Sequence, residues 1–440
     1  MSVIGQLASF VVGAKASGLP PAERERFTLH FTDTVMAALA GAHCSEGKAL
    51  EKLAGQNGLA DRIGRRAAAI RLTEIDDIHL PSCTTPSAGV VPVALALAAD
   101  AHNVEADEIA SAVWVGTEMM TRIGVAVDGP KILYRGIWPT YLAAPVSAAA
   151  TAARVFGLDE ARTCHALSLA VMMTAGGVGR IHGTPSGRWF LYARAIAAGI
   201  SAADAARADY CGDPQLLDRN WFADTHGIAL DRDRLTTGLG ASSVYSTLSI
   251  KPFCAAKQTV AAIEAFREIF LEANVDVAAI AKITVRVPPA YVGMISTRAE
   301  PGLRQSTMVS VAHQIALAAL RPQLLYDVDR NAPTIAPEVL QFAAKVAVVP
   351  EPMLEPLYPQ TWPAEVEFDA GGKTFRRRVA VAMGDPDRPL GRADIDEKAH
   401  RVLDSLIGAA RVHEWLMMAQ GAFAGGTECQ KLATAFADIA

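Results

Sequence analysis

The chain has 440 residues, more than one hydrophobic core usually serves, so two domains are expected. Hydrophobic residues make up 51% and charged residues 20%, with a mean hydropathy of +0.21, which excludes a disordered or highly solvated protein. A net charge of −5 and a pI near 6.1 leave no broad basic face for nucleic acid, whereas a small anionic substrate needs only a local cluster of Arg and Lys.

The N-terminus, MSVIGQLASFVVGAKASGLPP, has no basic region ahead of its apolar residues and reads as a first helix rather than a leader, so a cytoplasmic location is expected. Pro20 and Pro21 then open a helix on which Phe27, Phe31, Val35 and Leu39 recur every four residues, an apolar stripe made for burial. Residues 90–101, 107–122, 140–156 and 159–173 repeat the theme, rich in Ala on several sides, as helices inside a bundle are. Gly157 is a stop and Asp159 a capping residue for the next helix, so helix follows helix with no strand between. The richest apolar stretch, near 190–206, is interrupted by Arg194 and Asp204, which argues against a membrane span.

After Ser242 the character changes. Residues 280–287 (IAKITVRV) alternate as a strand does, and 364–368 with 374–382 form a predicted hairpin around Gly371 and Gly372. Helical text returns at 395–406 and 409–420. The pattern predicts a mainly α protein: a large all-helical domain built from both chain ends, 1–248 and 393–440, with a smaller α+β domain, 249–392, inserted between them. The six cysteines form no CxxC or Cys/His array, so neither a zinc site nor a disulfide scaffold is expected, and no metal or organic cofactor is assigned.

Four places could carry chemistry. Asp76, Asp77 and His79 stand before a Pro-broken loop, where acid and imidazole can tune one another; the bland alternatives are backbone-capping carboxylates and a solvent-facing imidazole. The run GGVGRIHG contains GxG, but no βαβ unit frames it, so it reads as a turn carrying Arg180 and His182 rather than a dinucleotide loop. Arg188 lies just ahead of a helix running to about Ala206, placed either to fork onto a carboxylate or to pair with a structural acid. Lys251, Cys254 and Lys257 precede an apolar helix; a Lys buried there can become a base, and Cys254, with no His partner in sequence, reads as a packed thiol. His30, His43, His102, His165, His226, His313, His400 and His413 receive no role.

These blocks, in this order, resemble the MmgE/PrpD family over nearly the whole chain: DDIH, PSAGVVPVALALA, RGIWPTYLAAPVSAAATAARVFGLD, SGRWFLYARAIAAGI, the Lys-Pro-aromatic-Cys block and GDPDRPL. The resemblance implies a helical domain with an α+β lid domain, a homodimer, and chemistry beside the carboxylates of a small organic acid. Departures matter as much as matches. Trp138 stands where dehydratase and decarboxylase members commonly have His, Thr84 or Thr85 replaces a second His, and Arg188 replaces a Lys.

Dehydration must protonate a departing hydroxide, so losing two imidazoles removes acids. Epimerisation asks only for removal and return of the proton alpha to a carboxylate, with cations to steady the charge meanwhile. The resemblance, closest to the epimerase branch in KPFCAAKQT, therefore implies an isomerase acting on an iminodisuccinate-like dicarboxylate; the alternative is a lyase of a citrate- or aconitate-like tricarboxylate. Lys257, His79, Tyr141, His182 and Asp77 are its candidate catalytic residues, and Arg188, Arg180, Trp138, Thr84, Thr85 and Lys251 its candidate substrate-binding residues.

Overall fold

The structure is a computed structural model that describes residues 1–53, 58–101, 104–175, 187–330, 334–425 and 427–439. It is mainly helical, with one four-stranded sheet, and divides into two compact units. The first comprises 1–72, 76–248 and 403–440; the second comprises 73–75 and 249–402. The GGVGRIHG run, with Arg180 and His182, lies outside the described residues.

In the first unit, local sequence sets the helix boundaries. Pro21 occupies the first turn of Pro21–His43, where a missing N–H costs nothing, and Phe27, Phe31, Val35 and Leu39 are all buried. Gly157 takes a left-handed φ of +63°, and the Asp159 carboxylate accepts the Arg162 N–H at 2.8 Å to start Glu160–Met172. Chain-end helices join this bundle: Ala409–Gly421 packs on Pro21–His43, and Glu428–Ala437, unforeseen in the sequence, packs on Ser87–Ala101. The expectation of uninterrupted helices is corrected by a three-residue strand, Asp77–His79.

The excess of small residues lets helix backbones touch. A Cβ at Gly64 in Leu59–Leu72 would lie 2.2 Å from the Ala193 carbonyl of Gly187–Arg207, and one at Gly199 would lie 2.1 Å from the Pro145 carbonyl of Pro139–Val155. Helix Gly187–Arg207 is thus clamped against two neighbours through backbone contacts that no larger residue permits.

The second unit is built on a sheet of order Val346–Pro350, Ile280–Val287, Ala364–Ala370, Lys373–Val379. Ile280–Val287 runs parallel to Val346–Pro350, a strand missed in the sequence, and antiparallel to Ala364–Ala370. Gly371 and Gly372, both at positive φ, close the predicted two-residue hairpin. Val366 and Phe368 turn inward and Phe266 of helix Lys257–Ala273 meets Phe368, while on the other face Arg376 and Arg378 both pair with Glu365.

Gly199→Ala gains helix propensity of about 1 kcal/mol, but the Pro145 carbonyl cannot retreat from the new methyl. A net destabilisation of about 1–3 kcal/mol is expected from such overpacking, read as a lower denaturant midpoint than wild type. An unchanged or higher midpoint would show that the helices separate at no cost.

Candidate functional site

In the first unit the site begins where Leu59–Leu72 ends. Arg71 Nη1 meets Asp76 Oδ1 at 3.2 Å, with both side chains buried. Asp77, with no exposure at all, accepts the Ser87 N–H at 3.2 Å and the Ser87 hydroxyl, and lies 3.1 Å from His30 Nδ1. Its carboxylate therefore caps the first residue of Ser87–Ala101 while binding helix Pro21–His43. His30, given no role from sequence, is corrected to a buried partner of Asp77. Its signal was position: a polar residue three after Phe27, on the apolar stripe.

His79 is buried, which corrects the solvent-facing alternative. Its Nδ1 sits 2.9 Å from Ser82 Oγ, which in turn lies 2.6 Å from Thr84 Oγ1. Burial lowers the imidazole from its ordinary value of 6.5 to about 4, against a weaker upward pull from Asp77, so His79 is neutral near pH 7. Thr85 accompanies Thr140, its N–H 3.2 Å and its hydroxyl 3.3 Å from Thr140 Oγ1. The adjacent Tyr141 has a phenol whose pKa burial pushes up, so it acts as a donor rather than a phenolate.

Trp138 immediately precedes helix Pro139–Val155, and its ring meets Trp189 at 6.0 Å and Tyr192 at 5.4 Å. The Arg188 guanidinium, in the first turn of Gly187–Arg207, lies 4.3 Å from the Trp138 ring centre and 4.7 Å from that of Trp189. Arg71 approaches the same two rings at 5.6 and 5.9 Å. Two cations thus stand against one aromatic group, which orders a guanidinium without neutralising its charge. Trp189 and Arg71 were missed in the sequence, although Trp189 adjoins Arg188.

Lys251 and Lys257 belong to the second unit, each with its own carboxylate. Lys251 Nζ lies 3.0 Å from Glu74, and Lys257 is paired with Asp385; all four side chains are buried. Lys257 is buried as anticipated, yet it is half of an ion pair rather than a lone desolvated amine. Gly384, at φ +87°, places Asp385: a Cβ there would strike the Ile250 carbonyl at 2.0 Å. Cys254 is the packed thiol expected, donating to the Thr73 carbonyl at 2.7 Å. Together with Lys398, whose Nζ reaches the Ile75 carbonyl at 2.7 Å, these groups hold residues 73–75, where Glu74 takes a left-handed φ of +57°.

Among the described residues no cluster of three His, Cys, Asp or Glu could hold a metal ion, and no helix is long and apolar enough to cross a membrane.

Residues 65–227 match the MmgE/PrpD N-terminal domain and residues 253–420 the MmgE/PrpD C-terminal domain. The chain belongs to the MmgE/PrpD family, which includes dehydratases and epimerases. No curated protein matches it in sequence.

Two predictions follow from these geometries. If Arg188 grips a substrate carboxylate, Arg188→Ala loses about 2–5 kcal/mol of transition-state binding in steady-state kinetics, and Arg188→Lys does not restore it, because an ammonium cannot reproduce a stacked fork. Near-normal kinetics in both would make Arg188 structural. Separately, the unfolded chain protonates His79 near pH 6.5 while the folded protein resists to about 4. Between those values the unfolded state holds the extra proton, so stability falls on acidification by up to about 1.4 kcal/mol per pH unit and is unaffected above the window. His313, lowered to about 4 by burial and by Arg330, acts in the same sense. Denaturation at pH 7 and pH 5 should show His79→Gln losing less stability than wild type.

Proposed function

We propose that the protein is a cofactor-independent epimerase or racemase acting at the carbon alpha to a carboxylate of a small, iminodisuccinate-like dicarboxylic acid. The observation that carries this reading is the Arg188 guanidinium stacked on Trp138, which by resemblance stands where dehydratase and decarboxylase members commonly have His. That place offers fixed positive charge instead of a proton donor. Such a site suits binding a carboxylate and steadying an enolate better than protonating a departing hydroxide.

In the proposed reaction the Cα–H bond breaks, its electron pair enters the enolate, and the proton passes to a base. A second group then delivers a solvent-derived proton to the opposite face. His79, neutral and buried, is the first of these groups. Tyr141 is the second candidate within the same unit, and His182 and Lys257 stay in the candidate set by sequence alone. Arg188, Arg180 and Trp138 hold carboxylate, Thr84 and Thr85 supply hydroxyls, and Lys251 supplies charge. Asp77 fits a supporting part, because His30 and Ser87 already occupy its oxygens. A cytoplasmic homodimer is proposed with it.

The test is incubation with one iminodisuccinate stereoisomer in deuterated water. Stereoinversion with deuterium entering at the alpha carbon is expected; alkene formation or carbon dioxide release would establish a lyase instead, and binding without turnover of any acid would make the chain a binding protein. Lys257→Met, followed from each isomer separately, then assigns the lysine. Loss of exchange from one isomer far more than from the other is expected of a base facing one side of the carbon, whereas equal loss from both leaves an electrostatic role.

A further inference from the structure

Ser82 sits in a turn whose shape is over-determined. The His79 N–H donates to the Thr84 carbonyl at 2.8 Å and the Cys83 N–H to the Leu80 carbonyl at 3.2 Å, with Cys83 at a left-handed φ of +53°. The turn lies directly against two glycines. A Cβ at Gly124 would come 2.6 Å from Ser82 Cβ and 2.7 Å from Thr84 Cγ2, and one at Gly129 would come 1.9 Å from the Ser82 carbonyl. Close contact with these two glycines thus limits where the Ser82 hydroxyl can be.

A hydroxyl has one hydrogen to give and two lone pairs. At Ser82 one lone pair receives the Thr84 N–H at 3.2 Å. The hydrogen has two oxygen acceptors in reach, the His79 carbonyl at 3.3 Å and Thr84 Oγ1 at 2.6 Å. With its hydrogen given to one of these oxygens, Ser82 would turn its remaining lone pair to His79 Nδ1 at 2.9 Å, and the proton of that contact would then be the imidazole's. We propose that Ser82 is a positioning residue that holds His79 with its proton on Nδ1, leaving Nε2 as the nitrogen that accepts the substrate proton.

This rests on the reading of His79 as a proton-transfer group and names what prepares it. The imidazole is neutral, so the choice of tautomer is open and a wrong choice removes the lone pair from Nε2. The reverse order, with Thr84 donating to Ser82 and Ser82 to Nδ1, would turn Nε2 into a donor. Ser82 touches no substrate in this scheme; it acts only through His79.

The experiment is long-range proton–nitrogen correlation of the full-length protein labelled with nitrogen-15 in its histidines, with the His79 signal assigned by its absence in His79→Gln. The wild-type signal is expected to be that of the Nδ1–H tautomer. In Ser82→Ala it should shift toward Nε2–H while the other histidine signals stay in place, and solvent-deuterium exchange should fall about tenfold or more in kcat with little change in KM. Ser82→Cys, with a thiol of similar size but weaker acceptor strength, should fall between. A wild-type Nε2–H tautomer, or an Nδ1–H signal unchanged in Ser82→Ala, overturns the role of Ser82. Full activity in His79→Gln instead overturns the role of His79 and is read independently of the tautomer.

Discussion

The burial of the Asp77 carboxylate constrains everything around it in the first unit. An isolated ionised carboxylate cannot leave water without partners, and Asp77 has none of its surface exposed. Its partners come from two helices: His30 from Pro21–His43, and the backbone and hydroxyl of Ser87 at the start of Ser87–Ala101. Removing any one leaves a buried charge short of a hydrogen bond, so the short strand that carries Asp77 has one position, and His79, two residues on, inherits it. The value of such an arrangement lies in placement rather than in net stability.

The second unit obeys the same rule with opposite sign at its centre. Lys251 and Lys257, buried at the approach to Lys257–Ala273, each meet a carboxylate, and the carboxylates arrive from distant parts of the chain. Glu74 is delivered by a segment of three residues held through the Cys254 thiol, the Ala255 N–H and Lys398. Asp385 is delivered by a turn in which Gly384 lies flat against Ile250. Each lysine is therefore an oriented ammonium, suited to lending charge at a fixed point, and its capacity to move a proton depends on what its carboxylate does at the same time.

What could be read from sequence was what local chemistry dictates. The Phe27 to Leu39 stripe, the Asp159 cap and the Gly371–Gly372 turn each depend on residues within a few positions of one another, and each is found as anticipated. What could not be read depends on residues far apart. His30 and Asp77 are 47 positions apart and Lys257 and Asp385 are 128, and no periodicity connects them. Val346–Pro350 has no polar alternation to mark it as a strand, because four of its five residues are partly covered and all five are apolar. Ser82 gave no signal, since its importance comes from glycines more than 40 positions away that allow the turn to sit close. The roles assigned to Arg180 and His182 remain readings of sequence.

Trp138 bears on chemistry through what surrounds its ring. An imidazole can cycle between acid and base; an indole cannot, but its face lies against Arg188 and Arg71 in cation–π contact, and Arg71 also pairs with Asp76. Among the described groups of the first unit, the carboxylates of Asp76 and Asp77 are engaged and the Tyr141 phenol is harder to ionise than usual. His79, at about 4, is neutral and has no spare proton to give a leaving group near pH 7. Under the proposed reading such a site accepts a proton and steadies a developing anion, and a reaction that returns the proton without losing a group asks no more of it.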